Sequence, residues 1–117
     1  MEIGDWEVGG RVRVEDLLER QPQEKSAEER AVMVEALRRV LAEAPEVVFA
    51  YLFGSFQKGL PFRDVDVGVY LAEGVDPWET AFRLAAALER ALRAVGHPAP
   101  VDVRVLNQAP VGFRYHV

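Results

Sequence analysis

The feature that most constrains the fold is a continuous apolar run that ends at a glycine. Residues 47–53 read Val-Val-Phe-Ala-Tyr-Leu-Phe and lie between Pro45 and Gly54. A short, unbroken run of β-branched and aromatic residues predicts a strand that is buried on both faces. A second strand is predicted at residues 64–71. Because the residues between the two are too few for a helical crossover, these strands are expected to be antiparallel neighbours.

A helix is predicted before the first strand. Ser26 and Glu29 have the spacing of a capping box, in which the serine hydroxyl and the glutamate carboxylate each satisfy a backbone amide. Pro45 marks the end of the helix, because proline disfavours helical geometry at the residue before it. Apolar residues recur at helical spacing and form one stripe that is expected to face the core: Met33, Leu37, Val40, Leu41 and Ala44.

A second helix is predicted after the second strand. Asp76 is expected to be its N-cap and Pro77 its first residue, while Gly96 followed by Pro98 marks its end. The apolar residues of this segment also recur at helical spacing. The predicted core stripe consists of Trp78, Ala81, Phe82, Ala85, Leu88, Leu92 and Val95.

The remaining segments complete an α+β domain. Residues 101–106 alternate and predict a third strand, and residues 113–117 are a candidate fourth. The expected fold is therefore a small mixed β-sheet of three to four strands flanked by helices, within residues 26–117. Residues 1–25 are assigned to an N-terminal arm of unknown role. A weak hairpin at residues 6–14 and a helical turn at residues 15–20 both fit there, before a polar linker at residues 21–25.

Composition limits the classes of function. The 117 residues suffice for one domain, and 14 basic against 19 acidic residues give a net charge of −5. An acidic balance argues against a surface that grips extended nucleic acid. There are no cysteines, which excludes disulfides and thiolate catalysis. Since neither an apolar run of roughly 20 residues nor a signal-peptide pattern is present, a cytoplasmic protein without membrane contact is expected.

Two aspartates at the start of the second strand are the first candidates for chemistry. Asp64 and Asp66 are two residues apart, so both carboxylates are expected on one face of the strand. Paired carboxylates repel each other, and a hard divalent cation such as Mg²⁺ relieves that repulsion. An isolated Asp-x-Asp is more often a turn aspartate followed by a solvent-facing neighbour, so the pair alone is a weak signal.

Asp102 strengthens the hypothesis. It lies near the start of the third predicted strand. If that strand is adjacent to the Asp64–Asp66 strand, a third carboxylate joins the pair, and the trio can hold two metal ions. Taken alone, Asp102 is an ordinary residue at a strand edge.

The Gly54-Ser55 turn is the second candidate element. A glycine directly after a strand lets the backbone turn and lets a ligand approach closely. The amides that follow suit a phosphate, Ser55 adds a hydroxyl donor, and Lys58 adds a positive charge before Gly59. Gly-Ser alone is a weak signal. The informative pattern is the combination of a strand, Gly-Ser, a short loop and a strand-borne Asp-x-Asp.

That combination resembles a known family. Residues 52–59 (Leu-Phe-Gly-Ser-Phe-Gln-Lys-Gly) and 63–69 (Arg-Asp-Val-Asp-Val-Gly-Val) resemble the DNA polymerase β-like nucleotidyltransferase superfamily. Within it, the size and strand order are most similar to the minimal nucleotidyltransferases, the MntA-type antitoxins that pair with HEPN-domain toxins. The resemblance covers about residues 31–106. It implies a polymerase β palm-like fold.

The resemblance also implies roles for individual residues. Gly54, Ser55, Lys58 and Gly59 would bind ATP or another nucleoside triphosphate. The carboxylates of Asp64, Asp66 and Asp102 would bind Mg²⁺ and be catalytic. The chain departs from the family pattern in a loop about two residues shorter than usual, in Arg63 where serine or threonine is common, and in Phe56 where arginine is frequent. These departures bear on nucleotide preference and turnover, and they remove no metal ligand.

The expected function is therefore a Mg²⁺-dependent transferase. It would move a nucleoside monophosphate, AMP by resemblance, from the triphosphate to a hydroxyl of a partner HEPN-type toxin. An alternative is a protein-binding antitoxin module with little or no catalysis. Another alternative is transfer to a small molecule, although such relatives normally carry an additional helical domain for the acceptor.

Overall fold

The computed structural model describes residues 21–108. The two long helices and the three strands follow the predicted order, with bounds within two residues of the predicted ones, and a short helix and a 3₁₀ turn are added to them. They are α1 (Ala27–Ala42), β1 (Val47–Phe53), the four-residue helix α2 (Gly54–Gln57), β2 (Val65–Leu71), α3 (Pro77–Ala94), β3 (Val101–Val105) and a 3₁₀ turn (Leu106–Gln108). The predicted strand at residues 113–117 and the predicted structure of residues 1–20 lie outside the described part.

The three strands form one mixed sheet in the order β1-β2-β3. β1 and β2 are antiparallel, as their short connection predicts, and β2 and β3 are parallel, with α3 as the crossover. The predicted α+β architecture is thus confirmed. The register matters most at one end of the sheet. There Phe53 is opposite Asp66, and Asp66 is opposite Asp102.

The core lies between the two long helices and one face of the sheet. Val65, Val67 and Val69 of β2 are fully buried and form the floor of the core. Both helices contribute side chains that pack against this floor, namely Met33, Leu37, Leu84, Leu88 and Leu92. Successive residues of a strand point to opposite faces. Asp66, Gly68 and Tyr70 therefore belong to the face away from the helices.

The N-terminal ends of both helices are capped as predicted. Ser26 Oγ accepts a hydrogen bond from the Glu29 amide, and the Glu29 carboxylate accepts one from the Ser26 amide, so the capping box is complete. The Asp76 carboxylate accepts hydrogen bonds from the amides of Trp78 and Glu79. Each cap satisfies amides that have no partner inside the helix, which fixes where the helix begins.

The predicted burial of β1 on both faces is wrong. β1 is the edge strand of the described sheet, and Val48, Phe49 and Tyr51 are exposed. The aromatic rings of its outer face pack instead on one another: Phe49 stacks on Tyr70 with ring centroids 5.1 Å apart and meets Tyr51 edge-on at 5.5 Å. An apolar run predicts the strand but does not distinguish an edge position from a central one.

The predicted core stripe of α3 is also partly wrong. Trp78 and Phe82 are each 80% exposed, and Val95 is exposed as well. The buried residues of this helix are Thr80, Leu84, Leu88 and Leu92. Trp78 precedes Thr80 by two residues, and Phe82 precedes Leu84 by two. Two residues correspond to about 200° around a helix, so the two aromatic side chains point away from the leucine face.

The segment predicted as a polar linker lies against the domain. Gln23 and Phe62 exchange two backbone hydrogen bonds, of 2.8 and 3.1 Å. The Gln23 side-chain amide also donates to the Pro98 carbonyl, and Lys25 Nζ lies 3.0 Å from His97 Nδ1. Residues 23–25 therefore connect the loop before β2 with the loop before β3. The boundary between an arm and a domain at residue 26 stays a prediction.

Candidate nucleotide and metal site

A turn at Gly54 brings the end of β1 against β2. Gly54 has a φ of +80°, a conformation that residues with a side chain rarely adopt. Its α-carbon faces the carboxylate of Asp66 so closely that an added Cβ would collide with Asp66 Oδ2. Both the backbone angle and the close approach therefore require glycine at this position. The turn places the start of α2 beside the carboxylate of β2.

The three predicted carboxylates come from adjacent segments. Asp66 and Asp102 are register neighbours on the parallel pair β2–β3, so their side chains share the face away from the helices. Asp64 lies immediately before β2 and is exposed. Burial raises the pKa of Asp66 above its ordinary value, and the negative charges of Asp102 and Asp64 raise it further, against an opposing effect of Arg104. The site thus concentrates negative charge.

Arg104 is a residue of the site that the sequence analysis does not identify. Its Nε donates to Asp102 Oδ2 at 3.2 Å, and its guanidinium lies 6.0 Å from the centroid of the Phe53 ring. A signal was present in the sequence: Arg104 follows Asp102 by two residues on a strand, so both project from the same face. Here Arg104 supplies the positive charge next to Asp102.

The predicted phosphate-binding residues lie on the loop that begins with α2. Ser55, Lys58 and Gly59 are exposed, and Gly59 again has a φ of +80°. Phe56, which stands where arginine is frequent in the resembled family, points instead into the core and packs edge-on against Phe62, with ring centroids 5.0 Å apart. The exposed residues of this loop therefore flank a buried aromatic anchor.

The donor set suits a hard divalent cation. Asp64, Asp66 and Asp102 offer carboxylate oxygens, which Mg²⁺ prefers. The pKa of Asp66 is raised first by burial and then by the neighbouring carboxylates, and a bound cation would favour the charged form. Within residues 21–108, no three acidic or histidine side chains are arranged closely enough to hold a metal ion. Asp102 is turned to Arg104 instead. The metal and catalytic roles of the three aspartates, and the nucleotide-binding roles of the loop residues, remain predictions.

The sheet order and the crossover by α3 define the class. A small mixed sheet with helices on one face, a Gly-Ser turn after β1 and an Asp-x-Asp at the start of β2 together form the nucleotidyltransferase fold. The chain belongs to the polymerase beta nucleotidyltransferase family, whose sequence model matches residues 35–117. The resemblance seen in the motifs is thereby confirmed.

Solved structures of toxin–antitoxin complexes are similar to this chain. One, a mutant of the toxin–antitoxin MntA-HpeT, aligns with a TM-score of 0.50 and 27% identity, over 76% of this chain and 63% of that one. Another, the toxin–antitoxin MntA-HepT, aligns with a TM-score of 0.45 and 24% identity, over 75% and 62%. The chain thus spans somewhat under two thirds of the length of these relatives. Comparison with curated proteins finds no match.

Among residues 21–108, no helix is both long and apolar enough to cross a bilayer.

Proposed function

We propose that this protein is a cytoplasmic, Mg²⁺-dependent nucleotidyltransferase that transfers AMP from ATP to a hydroxyl of a HEPN-type toxin and thereby acts as an antitoxin. The observation that carries the proposal is the adjacency of Asp66 and Asp102 in register on parallel strands, with the Gly54 turn packed against Asp66. The similarity to a toxin–antitoxin MntA-HpeT structure supports the choice of partner.

Each group has a defined task in the proposed reaction. The amides and hydroxyl of Gly54-Ser55, with the charge of Lys58, hold the triphosphate. Asp64, Asp66 and Asp102 would hold Mg²⁺, which supplies charge neutralisation of the triphosphate and of the departing pyrophosphate. Asp102 accepts the proton of the acceptor hydroxyl. The acceptor oxygen bonds to the α-phosphorus, and the bond from that phosphorus to the bridging oxygen breaks, which releases pyrophosphate.

The open face of the sheet supports a macromolecular acceptor. The helices pack on the Val65–Val67–Val69 side, and the carboxylates occupy the other side beside the exposed aromatic residues of β1. A partner protein that presents a tyrosine hydroxyl to this face would complete the acceptor site.

Label transfer tests the proposal. The protein is incubated with Mg²⁺, each of the four NTPs labelled at the α-phosphate, and a HEPN-type toxin as the candidate acceptor. We expect label on the partner with ATP, and none with a chelator present or with the Asp64→Asn/Asp66→Asn variant. Lack of transfer from all four nucleotides would overturn the enzyme proposal.

A second candidate is an antitoxin that neutralises its toxin by binding alone. The contact of Arg104 with Asp102 favours it, because a guanidinium next to this carboxylate competes with a metal ion. The Asp64→Asn/Asp66→Asn variant separates the two functions. If co-expression of the variant rescues growth from the toxin as well as the unsubstituted protein does, binding suffices; if rescue is lost while the complex still forms, transfer is required.

A further inference from the structure

Arg30 connects the first turn of α1 with the loop that carries the predicted nucleotide-binding residues. Its Nη1 donates to the Phe56 carbonyl at 2.9 Å, and its Nη2 donates to the Leu60 carbonyl at 3.3 Å. Its Nε donates to the Lys25 carbonyl at 3.1 Å. One side chain therefore bonds to two positions of the loop, Phe56 and Leu60, and to the segment before α1.

The same guanidinium lies against two buried rings. It is 5.6 Å from the centroid of Phe56 and 5.6 Å from that of Phe62. These rings are almost completely buried and pack against each other. A planar cation on aromatic faces with three carbonyl acceptors is a geometry that arginine provides and lysine does not. The surroundings of Arg30 thus match the planar arrangement of donors on its guanidinium.

The backbone of Arg30 is itself held in place by hydrogen bonds. The Arg30 amide bonds to the Ser26 carbonyl at 2.9 Å, and Ser26 closes the capping box of α1. The segment that accepts from Nε continues to Gln23, which pairs with Phe62 at the end of the loop. The anchor therefore has little freedom to move relative to the loop that it holds.

We infer that Arg30 is a positioning residue that fixes the loop of Ser55, Lys58 and Gly59 relative to the carboxylates of β2. The inference rests on the proposed function, since it assigns that loop to the triphosphate. This loop lacks arginine at position 56 and is shorter than is usual in the resembled family. The Arg30 side chain, which comes from α1, bonds to backbone carbonyls of the loop. The loop amides and the Lys58 charge therefore stay available to a ligand.

The first test measures the loop without any ligand. Arg30→Lys keeps the charge but cannot form the planar fork. The matched control is Arg38→Lys on the same helix, whose guanidinium contacts the exposed Glu35. In hydrogen exchange, the loop amides of Lys58, Gly59 and Leu60 should exchange about 10-fold faster or more in Arg30→Lys, and those of α3 should not change. Equal exchange in the two variants would overturn the inference.

The second test separates positioning from simple loss of structure. Calorimetry with Mg²⁺ and a non-hydrolysable ATP analogue gives both a stoichiometry and a Kd. A partly unfolded variant binds at lower stoichiometry with an unchanged Kd, whereas a misplaced loop weakens the Kd. We expect the Kd of Arg30→Lys to rise about 10- to 100-fold with full stoichiometry, and that of Arg38→Lys to stay constant. An unchanged Kd in Arg30→Lys would contradict the positioning role.

A measurement on the unsubstituted protein covers the case in which Arg30→Lys does not fold. Because Nη1 and Nη2 of Arg30 donate to the loop carbonyls of Phe56 and Leu60, the Nη–H resonances of Arg30 should shift when the Mg²⁺–analogue complex is added. An unmoved resonance during saturable binding would overturn the inference. If the unsubstituted protein binds no analogue at all, the proposed function fails, while the exchange test still decides whether Arg30 holds the loop.

Discussion

At the scale of single residues, Gly54 determines whether the site can form. The positive φ and the contact with Asp66 each require glycine at position 54. The molecule offers a control residue that has the positive φ without such a contact. Gly59 has the same φ of +80°, but a Cβ there would meet no atom within 4 Å. The pair Gly54→Ala and Gly59→Ala therefore isolates the contribution of the close approach.

We expect Gly59→Ala to lower the free energy of unfolding by about 1–2 kcal/mol, the usual cost of a left-handed conformation for a residue with a Cβ. Gly54→Ala should cost more, because the added methyl also displaces the Asp66 carboxylate. Urea denaturation measures both. Equal losses in the two variants would show that the approach of Gly54 to Asp66 contributes nothing.

Asp66 gives the pH prediction. Because its pKa is raised in the fold, the folded protein binds this proton more tightly than the unfolded chain does. The stability that it contributes is present below the ordinary carboxyl pKa of 3.8 and is lost as pH rises through the raised value. In a metal-free buffer at pH 7, Asp66→Asn should therefore melt at a higher temperature than the unsubstituted protein.

That gain should disappear near pH 3, where the aspartate is protonated in both states. The control is Glu73→Gln, which removes an exposed charge beyond β2. It should not appreciably change the melting temperature at pH 7 or at pH 3. A lower melting temperature for Asp66→Asn at pH 7 would contradict an unfavourable charge on the partly buried Asp66.

At the scale of elements, α3 tests which face of a helix supports the fold. The amphipathic pattern predicted the helix and its caps, but it placed Trp78 and Phe82 in the core. We expect Leu84→Ala to cost about 2–5 kcal/mol of unfolding free energy, because Leu84 is buried. Phe82→Ala, two residues away and exposed, should change it by no more than about 0.5 kcal/mol. Similar losses in urea denaturation would contradict the observed orientation of α3.

Local signals predicted most of this fold. The Ser26 box, the Asp76 cap and the breaks at Pro45 and Gly96 each act within one turn of a helix, so the sequence alone identifies them. Burial is different because it depends on what packs against an element. β1 and β2 both read as apolar, yet one is an edge strand with exposed residues and the other is central.

The candidate site was predictable to the same extent. Asp64, Asp66 and the Gly54 turn form a contiguous motif, and Asp102 followed from the expectation that its strand lies beside β2. Arg104 bonds to Asp102, two residues before it on β3, so the sequence did hold a signal for this contact. Arg30 acts on a loop some 30 residues away, which only the fold brings near. No spacing rule points to the Arg30 contact.

At the scale of the whole molecule, both long helices lie on one face of the described sheet. Both long helices pack on the valine face of β2, which leaves the carboxylates of Asp66 and Asp102 on the opposite face. In the proposed reaction, the nucleotide and the acceptor meet at these carboxylates. The net charge of −5 adds a requirement, because a triphosphate approaching an acidic protein needs a cation to neutralise both partners.

In the proposed function, Asp66 and its neighbours hold a divalent metal ion together with a nucleotide. Electron paramagnetic resonance of Mn²⁺, used in place of Mg²⁺, measures the free ion directly. We predict that the unsubstituted protein with a non-hydrolysable ATP analogue removes the free Mn²⁺ signal beyond what the analogue alone removes, and that Asp66→Asn does not. The same free Mn²⁺ signal in both samples would contradict the account.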